Sequence, residues 1–217
     1  MKRFEAIVFD MDGLLLDSER IVLDAFLLVC EHFELGDRTE LLKQCIGTNR
    51  GYPRARMTEA FGSGVDFNEF QNMWALKHEE IVGDDAMPLM DGARELLDLI
   101  QQLDIPRAVA TSTRSAQALD RLEKADLLHY FEFVVGGDQV TNSKPDPEIY
   151  LAATQKLGCN PTSCLAFEDS ENGVRAALGA GLRVIQVPDL VAPSANVRAL
   201  GHTILASLRD VPGYNFD

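Results

Sequence analysis

Hydrophobic positions along this chain of 217 residues fall into two alternating patterns. Short runs that are apolar nearly throughout, "EAIVF" at residues 5–9, "RAVAT" at 107–111, "FEFVV" at 131–135, "CLAFE" at 164–168 and "RVIQV" at 183–187, read as strands buried on both faces. Among them lie "DGARELLDLIQQL", "SAQALDRLEKA", "DPEIYLAATQKLG" and "SENGVRAALGAG", with apolar residues three or four apart and polar or acidic starts. These are the marks of amphipathic helices. Gly158 and Gly181 follow two of the helical periods closely and are expected as C-terminal caps. Alternating strands and helices predict an α/β fold, a doubly wound, Rossmann-like parallel sheet covered on both faces.

Residues 18–85 break the rhythm. "ERIVLDAFLLVCEHF", "TELLKQCIG", "PRARMTEAFG" and "FNEFQNMWALKHEEIV" are all helical in period, with no strand among them. This stretch reads as an inserted all-helical domain dividing an α/β core of residues 1–17 and 86–217. Because it follows the first strand, it is expected above the carboxyl ends of the sheet as a lid, where open sheets bind ligands. Phe67, Phe70 and Trp74 sit at helical spacing and read as core of that insertion. The tail "VPGYNFD" reads as a surface extension.

Charge narrows the function. With 34 acidic residues against 20 basic ones the net charge is −14, which argues against a nucleic-acid partner. No apolar run approaches a membrane span, and "MKRFEAIVFD" meets an acidic pair too early for a secretory segment. A cytoplasmic monomer without membrane or nucleic-acid partners is the expectation. Cys30, Cys45, Cys159 and Cys164 lack CxxC spacing and read as reduced structural thiols. His32, His78, His129 and His202 show no metal-binding spacing.

The chemistry gathers where the predicted strands end. The first gives Asp10 and Asp12, the second Thr111, Ser112 and Thr113, the third leads through "GGDQVTNSKPDP" to Lys144, and the fourth ends in Glu168 and Asp169. Two carboxylates one residue apart after an apolar run are costly unless a cation lies between them. Carboxylates, hydroxyls and one lysine on a single rim are the parts of a Mg²⁺-assisted phosphoryl-transfer site. Gly13 permits the turn that brings Asp12 beside Asp10.

"FDMDGLLLDSE", "ATST", "KPDPEIY" and "FEDSENGVRAALGAG", in this order over nearly the whole chain, resemble the four motifs of the haloacid dehalogenase superfamily. The helical insertion is similar to its small α-helical cap class. The resemblance implies an aspartyl-phosphate mechanism in a phosphoric monoester hydrolase, with Asp10 as nucleophile and Asp12 as general acid and base. It implies phosphate binding by Thr111, Ser112 and Lys144, and Mg²⁺ held by Asp10, Asp12 through its carbonyl, and Asp169. Glu168 is either in the metal shell or an orienting group. Within the superfamily the motifs are most similar to sugar-phosphate phosphatases, β-phosphoglucomutases and pseudouridine 5′-phosphatases. The expected substrate is therefore a small phosphomonoester, a sugar phosphate or nucleoside monophosphate.

Blander readings apply elsewhere. Asp17 or Ser18 reads as the cap of the first inserted helix. Arg50 and Lys77, basic residues of the insertion, are candidates for substrate specificity. A phosphoacceptor signalling module shares the aspartate, threonine and lysine, but length and Asp12 oppose it. A dehalogenase needs neither Mg²⁺ nor Asp12. A phosphosugar mutase is the nearer alternative: Arg50 resembles a phosphate-binding arginine of the mutase lid, but Val22 stands where β-phosphoglucomutase members carry a histidine, and its absence favours hydrolysis.

Overall fold

The computed structural model describes residues 4–46 and 51–213. Six parallel strands, β1 (Ala6–Phe9), β2 (Arg107–Ala110), β3 (Val134–Val135), β4 (Cys164–Glu168), β5 (Arg183–Gln186) and β6 (Thr203–Ile204), make one sheet in the order β3-β2-β1-β4-β5-β6. The chain steps outward from β1 through β2 to β3, crosses back to β4 beside β1, and steps outward again. The order reverses between β1 and β4, where sheets of this kind bind ligands outside the carboxyl ends. All five strands expected from the apolar runs are present. Strand β6 is an addition: its two half-buried residues are too few to print a pattern.

Helices α5 (Ala93–Gln102), α6 (Ser115–Lys124), α7 (Glu148–Leu157) and α8 (Glu171–Gly179) follow four of the helical periods, and a short α9 (Ala195–Arg198) precedes β6. On one face of the sheet Ala6, Val8, Ala110 and Ala166 pack against Ile149, Tyr150 and Ala153 of α7 and Val174 and Ala177 of α8. On the other, Phe9 stacks on Phe167 with ring centroids 5.0 Å apart. Gly158 ends α7 at φ 73°, and Gly181 follows α8 at φ 91°, as C-terminal glycines should.

The carboxyl-terminal segment corrects one expectation. Val211, expected in a surface tail, is fully buried within a 3₁₀ turn over Leu208–Gly213. That turn docks on the start of α5: Arg209 binds both carboxylate oxygens of Asp91 at 2.7 and 2.6 Å. Apolar residues spaced by proline and glycine showed neither period, so the sequence read as an extension.

The chain divides into two compact units, residues 1–17 with 86–217, and residues 18–85. The second is all-helical: α1 (Ser18–His32), α2 (Thr39–Cys45), α3 (Gly51–Phe61) and α4 (Phe67–Val82). Asp66 caps α4, its carboxylate accepting from the Asn68 and Glu69 amides, and Gly83 closes it at φ 50°. Phe70 is fully buried here, with Phe26 at 5.6 Å and Phe61 at 4.7 Å between ring centroids. Trp74 donates its indole N–H to the Val22 carbonyl at 3.1 Å. The aromatic residues are thus packing residues of this unit. None of the four cysteines forms a disulfide, and no described helix is long and apolar enough to cross a membrane.

Candidate active site

Strand register builds the site. Phe9 pairs with Phe167 on one side and Val109 on the other, so the next residues, Asp10, Glu168 and Ala110, stand in a row across the strand ends. Side chains alternate along a strand, which turns Asp10 and Glu168 to the face covered by α7 and α8. Lys144 enters this row on the loop between β3 and α7. The loop is tied down by Glu148, whose two carboxylate oxygens accept the Thr141 and Asn142 amides at 2.8 Å each.

The Lys144 ammonium donates to Asp10 Oδ1 at 2.5 Å, Glu168 Oε1 at 2.6 Å and the Ala110 carbonyl at 3.0 Å. Its three protons are all engaged. Glu168 is fully buried and satisfied at both oxygens: Tyr150 donates to Oε1 at 2.5 Å, and the Ser170 hydroxyl to Oε2 at 3.2 Å. Burial raises the Tyr150 hydroxyl well above its ordinary value, and the Glu168 charge pushes it further. Gly173 opens the space that Glu168 occupies, since a Cβ there would lie 1.9 Å from the carboxyl carbon.

Burial raises Asp10 to about 8; the Lys144 charge works against that rise and Glu168 and Asp12 add to it. For Lys144, burial disfavours the charged form, but Asp10 and Glu168 outweigh it and hold the amine above its usual range.

Asp12 lies across the turn that Gly13 makes at φ 76°, where the Gly13 amide meets the Leu16 carbonyl at 2.9 Å. Its Oδ2 accepts from the Thr113 hydroxyl at 2.7 Å and the Thr111 hydroxyl at 3.3 Å. Its Oδ1 meets Arg121 Nη1 at 2.9 Å. Thr111 is buried and also accepts the Thr113 amide at 3.1 Å, whereas Ser112 is exposed. Sequence reasoning missed Arg121 and Tyr150. Tyr150 lies within "KPDPEIY", but an aromatic residue at helical spacing reads as core.

Asp10, Glu168 and Asp169 bring carboxylate oxygens within 4.8 Å of one another, and among the described residues no other such group of acids, histidines or cysteines occurs. Gln186 donates to the Asp169 carbonyl at 2.9 Å, and His202 in turn meets Gln186 at 2.8 Å. Lys144 pairs with Asp10 and Glu168, and Arg121 with Asp12. The all-oxygen donor set of Asp10, Glu168 and Asp169 fits a hard divalent cation. Of the basic residues in the helical unit, Lys77 pairs with Glu80 at 2.5 Å on its own helix. Arg50 lies outside the described residues.

Residues 7–187 match the family described as haloacid dehalogenase-like hydrolase. A "Phosphorylated carbohydrates phosphatase" of Thermotoga maritima is 37% identical over 183 residues, covering 83% of each chain. The "Fructose-1-phosphate phosphatase YqaB" of Escherichia coli is 32% identical, covering 86% of this chain and 97% of its own. The crystal structure of CbbY from Rhodobacter sphaeroides in complex with phosphate superposes with a TM-score of 0.72 at 26% identity, covering 96% of both chains. With the six-stranded parallel sheet and the acidic row on its rim, these likenesses decide the family: the chain belongs to the haloacid dehalogenase-like hydrolases.

Proposed function

We propose that this chain is a Mg²⁺-dependent phosphatase that hydrolyses a small phosphorylated metabolite, a sugar phosphate or nucleoside monophosphate, through an aspartyl phosphate on Asp10. The enzyme class is phosphoric monoester hydrolase, as the phosphatase names of its relatives carry. The finer reading rests on one observation, the buried row of Asp10, Lys144 and Glu168 at the switch point of the sheet with Asp12 beside it. Sugar phosphates lead the candidates because two of the relatives are named for phosphorylated carbohydrates and fructose 1-phosphate.

Asp10 and Asp169 would hold the ion, with the Asp12 carbonyl, while Glu168, whose oxygens are already engaged, orients Lys144. When bound, Mg²⁺ supplies the positive charge that keeps Asp10 ionised and offsets the phosphate oxygens. An Asp10 carboxylate oxygen attacks phosphorus, and the bond from phosphorus to the ester oxygen breaks as that oxygen takes the proton of Asp12. Asp12, now a carboxylate, removes a proton from water. The water oxygen attacks phosphorus, the bond to Asp10 breaks, and inorganic phosphate and both aspartates are regenerated. The Thr111 hydroxyl and the Lys144 charge stabilise the transferring group. Residues 18–85, inserted directly after the Asp10–Asp12 loop, are read as the cap domain that selects the substrate.

A panel of hexose phosphates, nucleoside monophosphates and phosphorylated acids, assayed for released phosphate with Mg²⁺, tests the reading alongside Asp10→Asn. Turnover by the wild type and none by the variant is expected. Near wild-type turnover by Asp10→Asn overturns the covalent route. Phosphorus NMR of a hexose phosphate that showed isomerisation outpacing phosphate release would assign a mutase instead.

A further inference from the structure

The mechanism leaves Arg121 without a task. It lies in the last turn of α6, far along the chain from Asp12, yet their side chains are only 15% and 23% exposed and meet at 2.9 Å. A partly screened ion pair of this kind adds little to folding. Its geometry is more telling, because the two oxygens of Asp12 are held in different ways. Oδ1 takes a charge-assisted bond from a rigid, planar guanidinium. Oδ2 takes a neutral hydroxyl bond from Thr113, with Thr111 at longer range. A neutral hydroxyl contact is the one that an ester oxygen or a water can replace at small loss.

We infer that Arg121 is a positioning residue for proton transfer: it anchors Oδ1 of Asp12 so that Oδ2 is the oxygen presented to the leaving group and then to water. The inference rests on the acid and base role proposed for Asp12. An unanchored aspartate at the start of a glycine turn can rotate about χ1 and χ2, and a reacting group misplaced by about 1 Å can lose about 10²-fold in rate. Arg121 removes that freedom by holding Oδ1. Lysine would keep the charge but not the planar donor.

The test compares kcat and KM of Arg121→Met, Arg121→Lys, Asp12→Asn and the Arg121→Met/Asp12→Asn double variant. The probe is a hexose monophosphate that the wild type turns over, at saturating Mg²⁺. Arg121→Met is expected to lower kcat about 10- to 100-fold with KM within about 2-fold, and Arg121→Lys to recover part of the loss. In the Asp12→Asn background the same methionine substitution should change kcat by less than about 2-fold, since its effect passes through Asp12. Unchanged kcat in Arg121→Met while Asp12→Asn is impaired overturns the inference and leaves the role of Asp12 standing. A methionine effect that persists in the Asp12→Asn background also overturns it, because Arg121 then acts elsewhere. Near wild-type turnover by Asp12→Asn removes the acid and base reading and the inference together. If Arg121→Met does not fold, Arg121→Lys alone decides: wild-type kcat in a folded lysine variant counts against a planar anchor.

Discussion

Replacing Gly173 with alanine adds one methyl group to the first turn of α8, where helix propensity alone favours alanine by about 1 kcal/mol. Local reasoning therefore predicts a more stable protein. The site predicts the reverse. The new Cβ would lie 1.9 Å from both the carboxyl carbon and Oε1 of Glu168 and 2.0 Å from Oε2, against an ordinary contact of roughly 3.5–4.0 Å. Glu168 is fully buried, so its carboxylate moves only by giving up bonds to Lys144 at 2.6 Å and Tyr150 at 2.5 Å. A hydrogen bond to a charged group contributes about 1.5–3 kcal/mol, and disrupting a buried ion pair costs about 3–5 kcal/mol. After the helix gain, a net loss of about 2–4 kcal/mol remains, a fall in Tm of about 4–16 °C for a chain of this size. Lys144 would lose its placement against Asp10, so kcat should fall by about 10²-fold. Circular dichroism melts and initial rates measure both. Gly179→Ala is the control in the same helix: its nearest contact is Pro147 Cβ at 3.6 Å, so it should match the wild type or exceed it slightly. A Gly173→Ala protein that melts and turns over like Gly179→Ala would refute the account of Glu168.

Three further outcomes follow from the same charges. Activity should vanish in excess chelator and return with Mg²⁺, while Ca²⁺, larger and accepting more ligands, should inhibit; turnover by protein shown to be metal-free would defeat the metal assignment. Asp12→Asn should keep the fold and lose roughly 10²- to 10⁴-fold in kcat on a hexose phosphate, with a smaller defect in phosphorylation of Asp10 by an aryl phosphate, whose leaving oxygen needs less protonation; burst kinetics separate the steps. Because Asp10 is raised to about 8 when folded against 3.8 in its ordinary state, folded protein without metal holds a proton that the unfolded chain releases between those values. Its contribution to stability is complete at the acid end and is lost as pH rises through about 8. Melts in chelator should show wild-type stability falling relative to Asp10→Asn over that rise, and a flat difference would contradict the burial of Asp10.

Much of the sheet was legible because a strand buried on both faces shows as an unbroken apolar run, and four of those runs end in or lead to polar groups of the site. Strand β6 and the docked turn at Leu208–Gly213 were not, since neither is long enough to carry a period. Within the site, residue types were legible and partnerships were not. Lys124 and Arg121 are both basic residues in the last turn of α6, and nothing in the sequence separates them. Lys124 binds Asp120 at 3.1 Å with 39% of its side chain exposed, whereas Arg121 reaches Asp12. Only the backbone path, which brings the Gly13 turn toward α6, makes that distinction.

Glu168 shows the same limit from the other direction. The motif placed an acid beside Asp169 and left open whether it binds metal or orients a neighbour. That choice depends on which lone pairs are already engaged. Here Oε1 receives Lys144 and Tyr150 and Oε2 receives Ser170, so direct coordination would displace donors that are themselves buried. A buried donor stripped of its acceptor costs about 1–3 kcal/mol, more when charged. The proposed mechanism therefore leaves Glu168 out of the metal shell. In that mechanism Glu168 is the counter-charge that keeps Lys144 in the row while Asp10 alternates between carboxylate and phosphoryl ester, a change of partner that Lys144 could not survive in place if Asp10 were its only anion.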